Sequence, residues 1–208
     1  PNRGYCLLTS PDAMTEAEIR SYLHTEKMGK SLVCFADTDS TNIQAKLLAE
    51  QNAPDGTLVC SDQQTKGRGR RGRAWDSPPG EAIYMSLLLR PDIHPEHASM
   101  LTLVMGMAVA DAINELMGGE SAGIKWPNDV VLKGKKVSGT LTEMSTEMDC
   151  IHYVVIGTGI NVNTQKFPKE LDQATSLRLA AGHNFRRAEL IALCMKYFEK
   201  YYALFERT

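Results

Sequence analysis

The stretch 95–119 begins with proline, ends with a glycine pair and carries few polar residues in between. Pro95 suits the first turn of a helix, where its missing N–H is not needed, and Gly118-Gly119 suits a left-handed stop. A helix this apolar has no wide face to offer water and must be covered on most sides. The rest of the chain has to supply that cover, and 208 residues are enough for one substantial core or two small ones. Segment 83–89 is a near-continuous apolar strand, 151–156 is another, and 32–35 and 57–61 also read as strands. Helix and strand signals alternate without strict βαβ regularity, and hairpins are mixed in. The expected fold is therefore α+β: a mixed, mainly antiparallel sheet backed by helices.

Local chemistry punctuates these elements. Within 4–23, an apolar run at 5–8 leads to Ser10-Pro11-Asp12 and then to a helix start, where Thr15 and Glu18 form a capping box ahead of Ile19 and Leu23. Thr38-Asp39-Ser40-Thr41-Asn42 gathers capping residues before Ile43, Leu47 and Leu48 at helical spacing. That helix should end near Asn52, because Pro54 and Asp55-Gly56 make a turn. Strand 124–126, the turn Pro127-Asn128-Asp129 and strand 130–132 follow, and Gly134 lets 130–132 pair with 137–144 as a hairpin. Polar, proline-bearing 163–173 reads as a mobile loop, and 189–205 as a closing amphipathic helix.

Composition removes several classes. Hydrophobic residues are 43% and charged residues 23%, an ordinary soluble balance. No apolar run approaches the roughly 18 to 20 residues of a membrane span, and no basic-then-apolar segment opens the chain. The expected location is the cytoplasm, with no membrane partner. A net charge of -2 gives no global pull toward nucleic acid, so any anion must be captured by local basic clusters. The five cysteines are scattered and form no CxxC, which fits reduced thiols better than a disulfide frame or a zinc site.

The dominant local feature is Gly67-Arg68-Gly69-Arg70-Arg71-Gly72-Arg73. Arginines separated by glycines form a cationic loop whose backbone can approach a ligand closely, and guanidinium forks suit carboxylates and phosphates. An anion cradle, a nucleic-acid patch and a merely solvated loop all remain open from these residues. In Lys125-Trp126-Pro127-Asn128-Asp129, a strand-end lysine before a rigid turn is either a fixed cation aimed into a cleft or a lysine in solvent. Ser40, Thr41 and Asn42 cap a helix. Their hydroxyl and amide groups also match a neutral polar head such as a ureido ring.

Taken in order, Asp39-Ser40-Thr41-Asn42, Gln64-Thr65, the arginine–glycine loop with Trp75, Lys125-Trp126-Pro127-Asn128-Asp129, Gly-Lys-Lys-Val-Ser-Gly and Gly-Thr-Gly-Ile-Asn-Val-Asn closely resemble the biotin–protein ligase family. The match runs from about residue 35 to 163 and more loosely to the end. The resemblance implies a fold shared with class II aminoacyl-tRNA synthetases and lipoate–protein ligases. It implies that Ser40, Thr41, Asn42 and Gln64 contact biotin. Gly67, Arg68, Gly69 and Arg70 match the loop that folds over biotin and its adenylate. Lys125 matches the lysine at the reacting carboxylate and phosphate, with Arg70 as its catalytic companion. Trp75, Asn128, Gly139 and Asn161 are further candidates for pocket or adenine contacts, and 163–173 falls where the family has a loop that orders around adenine.

The implied reaction joins biotin to ATP as biotinyl-5′-adenylate, with Mg²⁺ carried by the nucleotide rather than by a protein metal cluster. Biotin then passes to a lysine of a biotin carboxyl carrier domain. Residues 1–28 are expected to be an N-terminal segment, the tail of a winged-helix domain plus linker or a short unrelated helix. Residues 29–208 are expected to form the catalytic domain, with the family's small C-terminal β-barrel expected to be absent from them. A homodimer through sheet edges is expected, and DNA becomes a partner only if a winged-helix domain has been removed. Thr140 stands where the family usually has an aliphatic residue, so its hydroxyl needs a partner. The rival readings are a lipoate–protein ligase, a biotinyl-adenylate-sensing module of a repressor, and a nucleic-acid-binding domain.

Overall fold

The computed structural model describes residues 11–119, 121–147 and 150–207. The apolar run expected at 5–8 lies outside them. The described elements are α1 (Glu16–Tyr22), β1 (Leu32–Thr38), α2 (Thr41–Glu50), β2 (Thr57–Gln64), β3 (Ala82–Leu89), α3 (Leu101–Met117), β4 (Ala122–Lys125), β5 (Asp129–Leu132), β6 (Lys135–Glu147), β7 (Cys150–Asn161), α4 (Leu177–Ala181) and α5 (Arg187–Phe205). The strands form one seven-stranded sheet in the order β1-β2-β3-β7-β6-β5-β4. Only β1 and β2 run parallel, and the other pairs are antiparallel. The α+β expectation holds.

Each face of the sheet has its own cover. Ile83, Met85, Leu87 and Leu89 of β3, with Val154 and Ile156 of β7, point into a large core shared with α1, α3 and α5. Val59, Leu88, Tyr153 and Val155 point the other way, onto Ala45 and Ala49 of α2. Both faces of β3 are thus covered, and all its residues are buried, as its unbroken apolar run requires.

The apolar helix starts with a 3-10 turn at Pro95–Met100, becomes α-helical from Leu101 and stops at Gly118 with φ 69°. Residues 95–117 are long and apolar enough to cross a membrane, which the sequence reading had denied. Here α3 packs against α5 and the sheet instead, with Leu101, Met105, Ala108, Val109, Ala112 and Ile113 fully buried.

Capping follows the sequence in part. Thr15 Oγ1 accepts the Glu18 N–H at 3.3 Å. Ser40 holds the N-cap position of α2, yet its hydroxyl makes no capping bond. The α2 stripe that meets the sheet is Thr41, Asn42, Ala45 and Ala49, while Leu47 is 50% exposed. Small residues face inward because the helix lies close on the sheet.

The N-terminal segment is tied down by Arg187 at the start of α5. Its Nε lies 2.8 Å from Asp12 Oδ2, its NH1 lies 2.6 Å from Asp62 Oδ1, and it donates to the Ala82 and Asp12 carbonyls. Arg187 is 2% exposed, so these bonds replace water around a guanidinium that could not otherwise be buried.

Candidate active site

Beyond the N-terminus of α2, the sheet face loses its side chains. Gly157 and Gly159 continue the Tyr153 and Val155 face of β7, and Gly139 of β6 pairs directly with Gly159. A β-carbon on Gly157 would overlap the Asn42 amide, and one on Gly159 would come within 2.5 Å of the Trp75 ring. The bare floor is what lets Asn42 and Trp75 descend onto the sheet and leave a pocket between them.

The walls are the sequence candidates. Ser40, Thr41, Asn42 and Gln64 line one side, Arg68, Gly69, Arg70 and Trp75 another, and Asn128 and Gly139 the remainder. Gly67 is absent from the lining. It sits beneath, where a β-carbon would lie within 2.6 Å of Ser77 Oγ. Asn161 is also outside the lining and donates to the Thr175 carbonyl at 3.1 Å.

Lys125 lies apart from this pocket. It ends β4, the edge strand, with its side chain exposed and away from the pocket lining. The lysine that reaches the pocket is Lys136 on β6. Its Nζ lies 2.7 Å from Asp129 Oδ1 and 5.4 Å from the centroid of the Trp75 ring. Lys136 is also gripped through its backbone, donating to the Gln173 carbonyl at 2.7 Å and accepting from Thr175 at 2.8 Å. In the sequence this lysine is the second of the pair in Gly-Lys-Lys-Val-Ser-Gly, with no spacing that marks it as a site residue. Tyr84 and Leu141, which no sequence motif marks, complete the lining with Thr140 and with Gly157, Thr158 and Gly159 of the Gly-Thr-Gly-Ile-Asn-Val-Asn motif. Thr140 is buried, and its backbone exchanges bonds with Asn128 at 2.9 and 3.2 Å.

The cationic loop is a small folded hairpin. Gly69 N–H donates to the Arg73 carbonyl at 2.7 Å and Trp75 N–H to Gly67 at 2.9 Å, with Arg71 at φ 57° and Gly72 at φ 73° around the turn. This presents Arg68 and Arg70 toward the pocket. Arg70 NH1 donates to Asn128 Oδ1 at 2.7 Å, bridging the pocket mouth.

Polar groups of the wall hold one another in place. Gln64 Oε1 accepts from the Thr41 N–H at 2.9 Å and from its hydroxyl at 3.2 Å. Asn42 Oδ1 accepts from Ser86 at 2.6 Å, and its Nδ2 donates to Glu143 at 2.8 Å. Burial pushes the Glu143 carboxyl up, but bonds from Lys46 and Asn42 and the charges of Lys46 and Arg68 outweigh it and hold the group below the usual range. The Trp75 indole N–H is buried without a hydrogen-bond partner, an arrangement that a ligand acceptor would relieve.

The lining residues include no histidine, cysteine or carboxylate. The pocket therefore offers neutral donors and acceptors together with the cations Arg68, Arg70 and Lys136. It is equipped to neutralise developing negative charge rather than to supply a nucleophile.

Fold and pocket together define a small-molecule site that combines neutral hydrogen-bonding groups with cations. The model of the biotin/lipoate A/B protein ligase family matches residues 33–161. The chain is 48% identical over 203 residues to the bifunctional ligase/repressor BirA of Bacillus subtilis (strain 168), covering 96% of this chain and 62% of that protein. It is 37% identical over 153 residues to the biotin–[acetyl-CoA-carboxylase] ligase of Mycobacterium tuberculosis (strain ATCC 25618 / H37Rv), covering 71% and 55%. Among solved structures, the biotin protein ligase from Aquifex aeolicus in complex with biotin and ATP superposes with a TM-score of 0.75 at 38% identity, covering 86% of this chain and 73% of that one. The chain belongs to the biotin/lipoate A/B protein ligase family. It spans 62% of the length of the Bacillus relative.

Proposed function

We propose that this chain is the catalytic part of a biotin–protein ligase. It adenylates biotin with ATP and then passes biotin to a lysine of a carboxyl carrier domain. The observation that carries this is the convergence of Arg68, Arg70 and Lys136 with Ser40, Thr41, Asn42 and Gln64 on one pocket. The neutral set suits the ureido head, which has both N–H and C=O to satisfy. The cations suit a carboxylate attacking the α-phosphorus of ATP, because pyrophosphate leaves only if the gathered negative charge is neutralised. Lys136 takes the role first expected of Lys125, and Arg70 stays beside it. The acceptor amine then attacks the acyl carbon and AMP departs, a step that needs no nucleophile from the protein.

Among the described residues no group of three or more histidines, cysteines or carboxylates is placed to hold a metal. On this reading Mg²⁺ comes in on the phosphate oxygens of the nucleotide, where negative charge gathers. The described cysteines are free thiols, which supports the cytoplasm.

For the acceptor, we favour the outer half of β6. Its pairing with β5 ends at Gly139, leaving 141–147 without a strand on that side among the described residues. Beside this edge stand Trp126, 78% exposed, and Met144 and Met100, each about half exposed. A partner strand could add there, from a carrier domain or from a second copy of the chain. The repressor alternative keeps the support of the Bacillus relative's name, and DNA contact would then require a domain beyond these residues.

The test is biotin-dependent pyrophosphate release with Mg-ATP, followed by isolation of protein-bound biotinyl-AMP, with lipoate as control. Release with lipoate but not biotin would make this a lipoate ligase. Biotin binding without release would favour the sensor.

A further inference from the structure

Strands β1 and β2 run parallel, with Cys34 directly opposite Cys60 in their register. Both lie on the face that meets the large core. Cys60 is fully buried there, and Cys34, packed against it on the outermost strand, stays partly exposed. Neighbouring strands lie about 4.8 Å apart, inside the span of about 4.4–6.8 Å between the α-carbons of bridged cysteines. The two thiols are free and hydrogen-bonded to each other. Elsewhere, exposed Cys150 faces Glu147 across the sheet and Cys194 is buried in α5.

The pair is chemically unequal. The bond from Cys60 holds the Cys34 thiol below its ordinary value against burial and Glu16, and the charge of Arg20 helps. Cys60 is pushed well up by that same bond and by burial. The thiolate is the attacking form, so the accessible Cys34 is the nucleophile and Cys60 the partner held against it. The pair also stands at the root of the pocket wall. Further along, the same two strands reach the register pair Thr38 and Gln64, and Gln64 Oε1 accepts from both the N–H and the hydroxyl of Thr41. A sulfur–sulfur bond of about 2.05 Å would draw β1 against β2 more closely than a hydrogen bond does. That shift would pass along both strands to Thr41 and Gln64.

We propose that Cys34 and Cys60 form a reversible exchange site for a small organic disulfide, and that the bond between them weakens ligand binding at the wall of Thr41 and Gln64. Cys34, its proton lost to water, attacks one sulfur of the small disulfide, forming a mixed disulfide and releasing one thiolate. The Cys60 sulfur then displaces the second, and its proton passes to the departing thiolate. Two protein thiols are oxidised, and one small disulfide is reduced to two thiols. Strand spacing near the short end of the disulfide span leaves the bond easily reopened by excess thiol, as a transient intracellular bridge requires. Only the identity of the ligand rests on the ligase reading.

In a Cys150→Ser background, glutathione disulfide should leave the folded chain lighter by two hydrogens. Peptide mass spectrometry should map the link to Cys34 and Cys60, and dithiothreitol should remove it. Cys60→Ala should stop instead at a glutathione adduct on Cys34, while Cys34→Ala should take up none at Cys60. By calorimetry, the cross-linked chain should bind biotin at least about five-fold more weakly, the lower end of usual coupling between sites, and reduction should restore the affinity. Absence of the link, a glutathione adduct that persists on Cys34 beside a free Cys60, or first attack at Cys60 would overturn the exchange site. Unchanged biotin affinity after cross-linking would overturn its effect on the wall. If the reduced chain binds no biotin, the ligase reading fails, and the peptide map still decides the exchange site.

Discussion

The side-chain amide of Asn42 occupies the space above Gly157 where a β-carbon would stand. Helix α2 and strand β7 therefore meet through an amide on bare backbone. Gly157→Ala must push Asn42 away from Ser86 and Glu143. We expect a loss of about 1–3 kcal/mol in urea denaturation, as for other overpacked cores, together with a marked loss of biotin affinity by calorimetry. A variant that binds biotin normally would show that Asn42 is not part of the wall the ligand uses.

Lys136 and Lys125 separate the site from its neighbourhood. Lys136→Ala should slow biotin-dependent pyrophosphate release by about 10²–10³-fold, the usual effect of losing one preorganised charge. Lys125→Ala, removing an exposed side chain beyond the lining, should stay within a few-fold of the parent. The reverse pattern in a stopped-flow assay would return the role to Lys125.

Arg187 should behave as a buried clamp. Arg187→Ala strands Asp12 and Asp62 without their cation, and breaking a buried pair on one side costs about 3–5 kcal/mol. Thermal unfolding would register this as a large fall in Tm, and Arg187→Lys, lacking the fork, should recover only part of it. A fall no larger than that of an exposed arginine would contradict the clamp.

Glu199 ties α5 to residues 26–28 by accepting their backbone N–H groups at 2.7–2.9 Å. Burial raises its carboxyl, but the bonds from Glu26, Met28 and Lys27 outweigh that and hold it below the usual range. The folded form thus binds the proton less readily than the unfolded chain. Its stabilisation is full above the ordinary glutamate value of about 4.3 and is lost as pH falls through the lower folded value. The Tm advantage of the parent over Glu199→Gln should therefore be steady near neutrality and shrink under acid. A gap independent of pH would contradict this.

Much of the fold could be read in advance because its signals are local. The apolar run at 83–89 reads as a strand, and the Gly118-Gly119 pair as the stop of a helix. The inward stripe of α2 is not legible from its apolar spacing: of Ile43, Leu47 and Leu48, only Leu48 packs against the small core on that face. The close approach to a glycine floor instead selects Ala45, Ala49 and the polar Asn42, and that distance is set by strands remote in sequence. The loop arginines and the Ser40 to Asn42 cap stood out by residue type. The choice between two lysines did not. It depends on β6 lying beside β7 while β4 lies at the edge, and on a register shift between Val130 and Val131, none of which leaves a mark in composition or spacing.

Lys136 shares its backbone bonds with Gln173 and Thr175, at the far end of the stretch that follows β7. On the proposed ligase reading, a nucleotide that settles that stretch would also settle the lysine that meets the acid, so the two ligands would act on one mechanical element. Thermodynamic reciprocity then fixes a relation between them: whatever factor the nucleotide applies to the affinity for the acid, the acid applies to the nucleotide. The size of that shared factor would then be a property of how rigidly Lys136, Gln173 and Thr175 are joined, rather than of either binding surface alone.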